Sequence, residues 1–208
     1  TTRCRCCHSG AKTAGHRPSL NDAFAMTSIQ ESSPPLPPVN DALPSAATAP
    51  CSGRFEGKAA FDDHVLHFLQ RAADERWPEL IVADPDFADW PWGTLAATEL
   101  LQRWARHGRL MTVLAYRFDV LPRRHPRWMQ WRTVWDHKLQ CRRMLARDVS
   151  LVPSALWSPQ WAVQRLDVER CIGVASAERA AIVPQGEMLQ EWIRHQSAPA
   201  LAASVLGL

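Results

Sequence analysis

Two short apolar runs joined by a helical segment constrain the fold more than any other feature of this sequence. Residues 80–83 are apolar and are followed by Asp84 and Pro85, while residues 110–116 are apolar almost throughout. Both patterns predict buried strands. Residues 94–107, between them, read as a helix with Thr94 as the N-cap and Gly108 just beyond its end. The sequence therefore predicts a parallel β-α-β unit with both faces covered.

The remaining elements extend this unit into one α/β domain. Apolar residues at helical spacing predict a helix that begins near Lys58 and ends before Pro78. Further helices are predicted at 125–135 and 184–196, and strands at 138–144, 161–166 and 171–175. The predicted fold class is α/β: a mainly parallel or mixed sheet flanked by helices, in the order α-β-α-β-α-β-β-β-α.

Composition sets the expected limits of the domain. Residues 1–55 are crowded with Gly, Pro, Ser and Thr, which predicts a disordered leader. Residues 1–25 precede the first methionine and are expected to be non-native. The α/β domain is predicted at 56–196 and a flexible tail at 197–208. The chain has no apolar stretch of about 18 residues and no signal-like start. Three of its six cysteines lie within the first seven residues and the other three are scattered singly, which is unlike a disulfide framework, so we expect a soluble cytoplasmic protein without a membrane span.

Charge is distributed unevenly along the predicted domain. Residues 56–99 hold ten acidic and three basic side chains, whereas residues 103–147 hold twelve basic and two acidic ones. A basic block of this strength indicates an anionic ligand or a nucleic acid as partner, unless the acidic segment packs beside it and neutralises it. The predicted ligand-binding residues are Arg123, Arg124, Arg127, Lys138, Arg142 and Arg143.

Tryptophan is the most unusual component of the composition. Seven of the ten tryptophans fall between positions 77 and 135, and Trp128, Trp131 and Trp135 share one face of a predicted helix. These side chains are expected to fill a core. Two alternatives are stacking on the bases of a single strand and burial of the same face in a homodimer.

Two aspartates follow the first predicted strand. Asp84 and Asp86 would lie at the carboxyl end of a parallel strand, where carboxylates could hold Mg²⁺ or act on a phosphate. The alternative is that they complete a turn and balance the arginines. No metal site or cofactor is predicted, and these two residues are the weak metal candidates.

The segment Asp136-His137-Lys138 enters a predicted strand, and Ile172-Gly173-Val174-Ala175-Ser176 follows later. With this layout, residues 80–196 resemble one half of the fold of the phospholipase D superfamily, whose active-site motif is H-x-K-x(4)-D. Proteobacterial proteins with a degenerate motif look similar. In this resemblance Ile172–Ser176 aligns with a turn that follows a later strand of the family, and Lys138 matches the motif lysine. Asp136, however, stands where the nucleophilic histidine is expected, and Arg143 stands where the aspartate is expected. The resemblance implies the fold and a phosphate-binding groove without an active phosphodiesterase.

Three functions follow from these observations. The first is a non-catalytic domain that binds a phosphate-bearing or other anionic ligand through its basic middle region. The second is a phosphoesterase that uses His137 and Lys138, or the Asp84/Asp86 pair with Mg²⁺. The third is a structural protein that self-associates. The absence of a Walker loop, a G-x-S-x-G motif and a G-x-G-x-x-G motif counts against common hydrolases and dinucleotide-binding enzymes.

Overall fold

The computed structural model describes residues 52–201, which form five α-helices and eight strands. The helices are α1 (Lys58–Asp74), α2 (Leu95–Ala105), α3 (Leu121–Arg124), α4 (Pro126–Trp135) and α5 (Arg179–His195). The strands are β1 (Gly53–Phe55), β2 (Glu79–Asp84), β3 (Leu110–Ala115), β4 (Leu139–Met144), β5 (Ser154–Trp157), β6 (Ala162–Asp167), β7 (Ile172–Ser176) and β8 (Ser197–Pro199). Short 3-10 turns occupy Pro91–Gly93, Asp136–Lys138 and Val149–Leu151.

The strands of the described residues form a single mixed sheet in the order β1-β7-β6-β5-β2-β3-β4-β8. Strands β2, β3 and β4 are parallel, and the other neighbouring pairs are antiparallel. The predicted β-α-β unit is present as β2-α2-β3, and Thr94 caps α2 by accepting a hydrogen bond from the Ala97 amide. The predicted α/β class with a mixed sheet flanked by helices is confirmed.

The two faces of the sheet carry different cores. Helices α1, α2 and α4 cover one face, where Phe68, Leu101, Trp104 and Trp128 pack with side chains such as Val113. Helix α5 covers the other face, where Leu189 packs against Ile81, Ala83 and Leu114. Successive strand residues point to opposite faces, so the continuous apolar run of β2 supplies both cores at once.

Three strands were not predicted. Strand β5 inserts between β6 and β2, while β1 and β8 add to the two ends of the sheet. Strands β1 and β8 are three residues each, too short for a periodic pattern, and they lie outside the predicted domain limits of 56 and 196. The first residues of the predicted flexible tail therefore pair with β4 as a strand. The rest of the predicted tail (202–208) and nearly all of the predicted leader (1–51) lie outside the described residues.

Helix α5 begins five residues earlier than predicted. Pro184 was expected to mark its first turn, but the helix starts at Arg179 and continues through this proline. Proline lacks the amide that would bond one turn back. Ile182 and Gln185, on either side of the proline, are buried. The side-chain Nε2 of Gln185 donates to the Leu156 and Val163 carbonyls, which holds the segment against the sheet.

The helices of the described segment are all too short or too polar for a membrane span, as the sequence predicts.

Candidate functional site

The carboxyl ends of the parallel strands β2, β3 and β4 lie side by side. Their register aligns Asp84 with Ala115 and Ala115 with Arg143. In open α/β sheets, ligands bind outside this edge because the loops that follow the strands converge there. We call the end of β4, the loops after β2, β3 and β4, helix α3 and the first turn of α4 the carboxyl edge.

Arginines are concentrated at the carboxyl edge. Apart from Asp84 and Asp89, which pair with Arg165, its acids are Asp86, Asp119 and Asp148. Its arginines number six, so positive charge is in excess and anions will be attracted. They are Arg117, Arg123, Arg124, Arg127, Arg143 and Arg147.

A pocket of about 400 Å³ opens between the ends of β3 and β4. Tyr116, Arg117, Arg143 and Leu145 contribute to its wall. Arg117 pairs with Asp86 at 3.3 Å, whereas the exposed guanidinium of Arg143 has no ion pair or hydrogen bond within residues 52–201. The pocket has the size of a small-molecule site and offers one unneutralised guanidinium beside a second.

Four of the six predicted ligand-binding residues share this edge. Arg123 and Arg124 end α3 and are exposed, and in the described part of the chain neither guanidinium has a partner. Arg127 in the first turn of α4 donates to the Gly93 carbonyl at 3.0 Å. Together with Arg143, these residues come from two consecutive helices and the end of the next strand.

The other two predicted residues are engaged in structural contacts. The Lys138 amine lies at the opposite edge of the sheet and donates to the carbonyls of Ala105 (2.6 Å) and Gly108 (2.9 Å) at the end of α2. Arg142 donates from Nε to Ser197 Oγ at 2.8 Å and from Nη2 to the Ser197 carbonyl at 2.9 Å, so it holds β8 beside β4. The six residues therefore do not converge on one cleft.

His137, the second catalytic candidate, lies in the 3-10 turn before β4. Its residue is exposed, its ring centre lies 5.9 Å from that of Trp135, and it has no hydrogen bond or ion pair within residues 52–201. The segment Ile172–Ser176, which the resemblance to phospholipase D aligned with a turn, is strand β7. A nucleophilic histidine needs a base or an orienting partner, and this environment supplies neither.

The oxygens of Asp84 are fully occupied. Oδ1 accepts hydrogen bonds from the amides of Asp86 (3.1 Å) and Phe87 (2.8 Å), and Oδ2 contacts Ser154 Oγ (2.6 Å) and Arg165 Nη2 (2.5 Å). Asp86 accepts from the Ala88 amide and pairs with Arg117. No group of three His, Cys, Asp or Glu side chains within residues 52–201 is arranged to hold a metal ion. The two candidate metal ligands thus serve a turn and ion pairs.

Arg165 organises the interior below the carboxyl edge, and the sequence analysis did not identify it. Its side chain is 1% exposed and pairs with Asp84 and with Asp89, whose Oδ2 is 2.5 Å from Nη1. Nε donates to Ser154 Oγ at 2.7 Å, and the guanidinium carbon lies 4.1 Å from the centre of the Phe61 ring. Burial lowers the pKa of Arg165, but the two carboxylates outweigh burial and raise it. This ion-pair cluster fixes the loop after β2.

The tryptophans of α4 face the core, as the packing interpretation predicts. Trp128 is 0% and Trp131 is 4% exposed, and Trp128 stacks on Trp92 with centroids 5.0 Å apart. Neither ring can stack on a nucleic-acid base without unfolding the helix. The face that would have formed a homodimer is buried within the domain, so a homodimer stays a prediction without an assigned surface.

The fold and the edge define a mixed α/β domain with an arginine-rich carboxyl edge. No protein-family model and no curated protein matches the chain. Among solved structures, the chain is similar to that of TrmBL2, an archaeal chromatin protein described as showing a novel mode of DNA binding. The two are 14% identical with a TM-score of 0.50 over 70% of this chain. The match spans 54% of TrmBL2, about half its length, and this likeness concerns the fold alone.

Proposed function

We propose that this domain binds DNA, without catalysis, through the sugar–phosphate backbone and the arginines of its carboxyl edge. The observation that carries the proposal is the grouping of Arg123, Arg124, Arg127 and Arg143 on segments that converge there. Three of these guanidiniums have no protein partner within the described residues. A guanidinium binds phosphate bidentately, so each can hold one backbone phosphate.

Two further observations favour a polyanion over a small ligand. The arginines extend beyond the pocket at β3 and β4 onto α3 and α4, so they can contact several phosphates at once. The structurally similar TrmBL2 is described as DNA-binding, which supports DNA as the polyanion. Because Trp128 and Trp131 are buried, binding would depend on the backbone rather than on the bases.

The resemblance to the phospholipase D superfamily stays a proposal. The βαβ unit and the third parallel strand support it as a proposal of fold. The contacts of Lys138 with α2 favour a structural role for this residue, which is why the proposed function contains no phosphodiester cleavage.

The salt dependence of binding to a short labelled DNA duplex tests the proposal. Phosphate contacts release counterions, so affinity should fall roughly a hundredfold between about 50 and 200 mM salt if about four phosphates are held. Fluorescence anisotropy measures this slope. Affinity that stays constant over this range, or the absence of binding at the lower salt concentration, would refute the proposal.

Substitutions then locate the contact surface. The Arg123→Ala/Arg124→Ala pair and Arg143→Ala should each weaken binding and reduce the salt slope by about one per arginine. Arg109→Ala is the matched control, because Arg109 is also an exposed arginine (77%) but lies at the start of β3, on the opposite edge. Equal losses in the control and the edge variants would show that net charge, rather than this edge, determines binding.

A further inference from the structure

A groove separates the exposed faces of α2 and α4. The two helices lie side by side and run in the same direction, as contacts at both of their ends show. At their starts, Arg127 Nη1 donates to the Gly93 carbonyl. At their ends, Trp135 Nε1 donates to Gln102 Oε1 at 2.7 Å and Lys138 bonds to the Ala105 carbonyl. The groove has a volume of about 660 Å³, within the range of small-molecule sites. We call it the helix groove.

The wall of the helix groove contains uncovered apolar surface. Most of it belongs to Val134, which lines the groove and is 67% exposed, whereas Trp131 also lines the groove but is only 4% exposed. The methylene stems of Gln102 and Arg103 add further apolar area, while their polar ends bond to Trp135 and Asp74. A ligand with an apolar body would remove this surface from water.

The charges of the groove differ in availability. Arg103 is paired with Asp74, and Arg127 donates to Gly93. Arg106 also lines the groove, is exposed, and has a guanidinium without an ion pair or hydrogen bond in the described part of the chain. Glu99 lines the groove two helical turns earlier, roughly 10 Å from Arg106 along α2 at 1.5 Å per residue. An anionic group is therefore favoured at the Arg106 end and disfavoured near Glu99.

We propose that the helix groove binds an alkyl carboxylate, with its carboxylate on Arg106 and its chain along Val134 and the stems of Gln102 and Arg103. A chain of medium length fits the distance between the Arg106 end and the Glu99 end. The two proposed sites share one lining residue, Arg127, which lies at the starts of α2 and α4. The carboxylate position is separate from the DNA contacts, since Arg106 follows α2 at the edge of the sheet opposite to Arg123, Arg124 and Arg143.

Calorimetric titration of the whole chain with decanoate, decanol and acetate tests the chemistry of this ligand. Decanoate should bind, decanol should bind about tenfold more weakly because it lacks the charge-assisted contact, and acetate should show no binding because it lacks the chain. Equal affinity for decanoate and decanol would contradict the role of the arginine. Equal affinity for decanoate and acetate would contradict the role of the apolar wall, and no binding of decanoate would overturn the proposal.

Two variants and a control locate the ligand. Arg106→Gln should weaken decanoate binding about tenfold and leave decanol binding unchanged, while Val134→Asn should weaken both. Arg109→Gln, three residues away but outside the groove, should change neither. An Arg106→Gln variant that binds decanoate as tightly as the parent would overturn the proposal. DNA affinity measured on the same samples keeps the two proposals distinguishable, because decanoate and Arg106→Gln should leave the contacts of the carboxyl edge intact.

Discussion

Arg165 is buried between two carboxylates at the end of β2, and its removal leaves charge without a partner. Asp84, also 1% exposed, would keep its backbone contacts but lose the guanidinium. Breaking one side of a buried ion pair costs about 3–5 kcal/mol, so Arg165→Met should lower the free energy of unfolding by roughly that amount. Urea unfolding followed by tryptophan fluorescence measures the change.

An exposed arginine provides the control for this prediction. Arg170 is 78% exposed and lies 4.0 Å from Asp167, so Arg170→Met should change stability by less than about 0.5 kcal/mol. Adding Asp84→Asn to Arg165→Met should cost less than the sum of the two single changes, because the partners share one interaction. Additive losses would show that the pair is not energetically coupled.

The same residues show which part of the site the sequence could predict. The strand that contains Arg165 was predicted, but its two partners lie 81 and 76 positions earlier in the chain. Spacing along one strand cannot identify a partner brought in by the sheet. Asp84 was therefore considered either as a metal ligand or as a turn residue that balances arginines, and Arg165 was not named as its partner. Arg123, Arg124, Arg127 and Arg143 were accessible to sequence reasoning because the positive charge lies within one continuous segment.

Helix α2 ends on a set of contacts that involve three other segments. Trp104 Nε1 donates to the Trp77 carbonyl at 2.8 Å, and the Lys138 amine holds the carbonyls of Ala105 and Gly108. A Cβ at Gly108 would lie 2.2 Å from the Trp104 ring, so only glycine fits there. Lysine at a helix C-terminus also compensates the partial negative charge of the unpaired carbonyls.

Lys138→Met should therefore act on stability and not on ligand binding. Loss of two hydrogen bonds from a charged donor should lower the free energy of unfolding by roughly 1.5–3 kcal/mol. DNA affinity should stay within about twofold of the parent, which anisotropy measures. Arg143→Met should show the reverse pattern, with unchanged stability and weaker binding. A Lys138→Met protein with normal stability and lost DNA affinity would contradict this prediction and show that Lys138 contributes to DNA binding.

Elements were predictable where a pattern extended over several residues. The two apolar runs and the capped helix between them gave β2, α2 and β3, because burial on both faces leaves a continuous apolar signature. Strand β5 contains only four residues and β1 and β8 three each, so their existence depends on edges supplied by other strands. That dependence is tertiary and leaves no local signal.

Across the whole molecule, the two explanations of the uneven charge each hold for part of the basic segment: some arginines are neutralised internally, and others remain available to an anionic partner. Arg103 and Arg117 pair with Asp74 and Asp86 of the acidic segment, which neutralises part of the basic block internally. The arginines of α3 and the end of β4 are left without acids in the described residues. Within residues 103–147, the arginines without an ion pair or hydrogen bond to the described residues are therefore Arg106 and, at the carboxyl edge, Arg123, Arg124, Arg143 and Arg147. The two proposals concern those places.

Acid sensitivity also belongs to the whole molecule, because two buried histidines lie far apart in the chain: His64 in α1 and His125 between α3 and α4. Burial lowers the pKa of both residues. For His125, Arg124 lowers the pKa further, whereas the Phe87 carbonyl, 2.7 Å from its Nε2, raises it.

These lowered pKa values predict that acid destabilises the domain. In the unfolded chain the two histidines bind protons near pH 6.5, and in the folded chain they do so only at lower pH. Their contribution to stability is therefore complete above about pH 6.5 and falls on acidification. Between about pH 7.5 and 5.5, the free energy of unfolding should drop by up to about 1.4 kcal/mol per histidine. His125→Gln should flatten this dependence and the exposed control His137→Gln should not, and urea unfolding that is independent of pH in the parent would contradict the prediction.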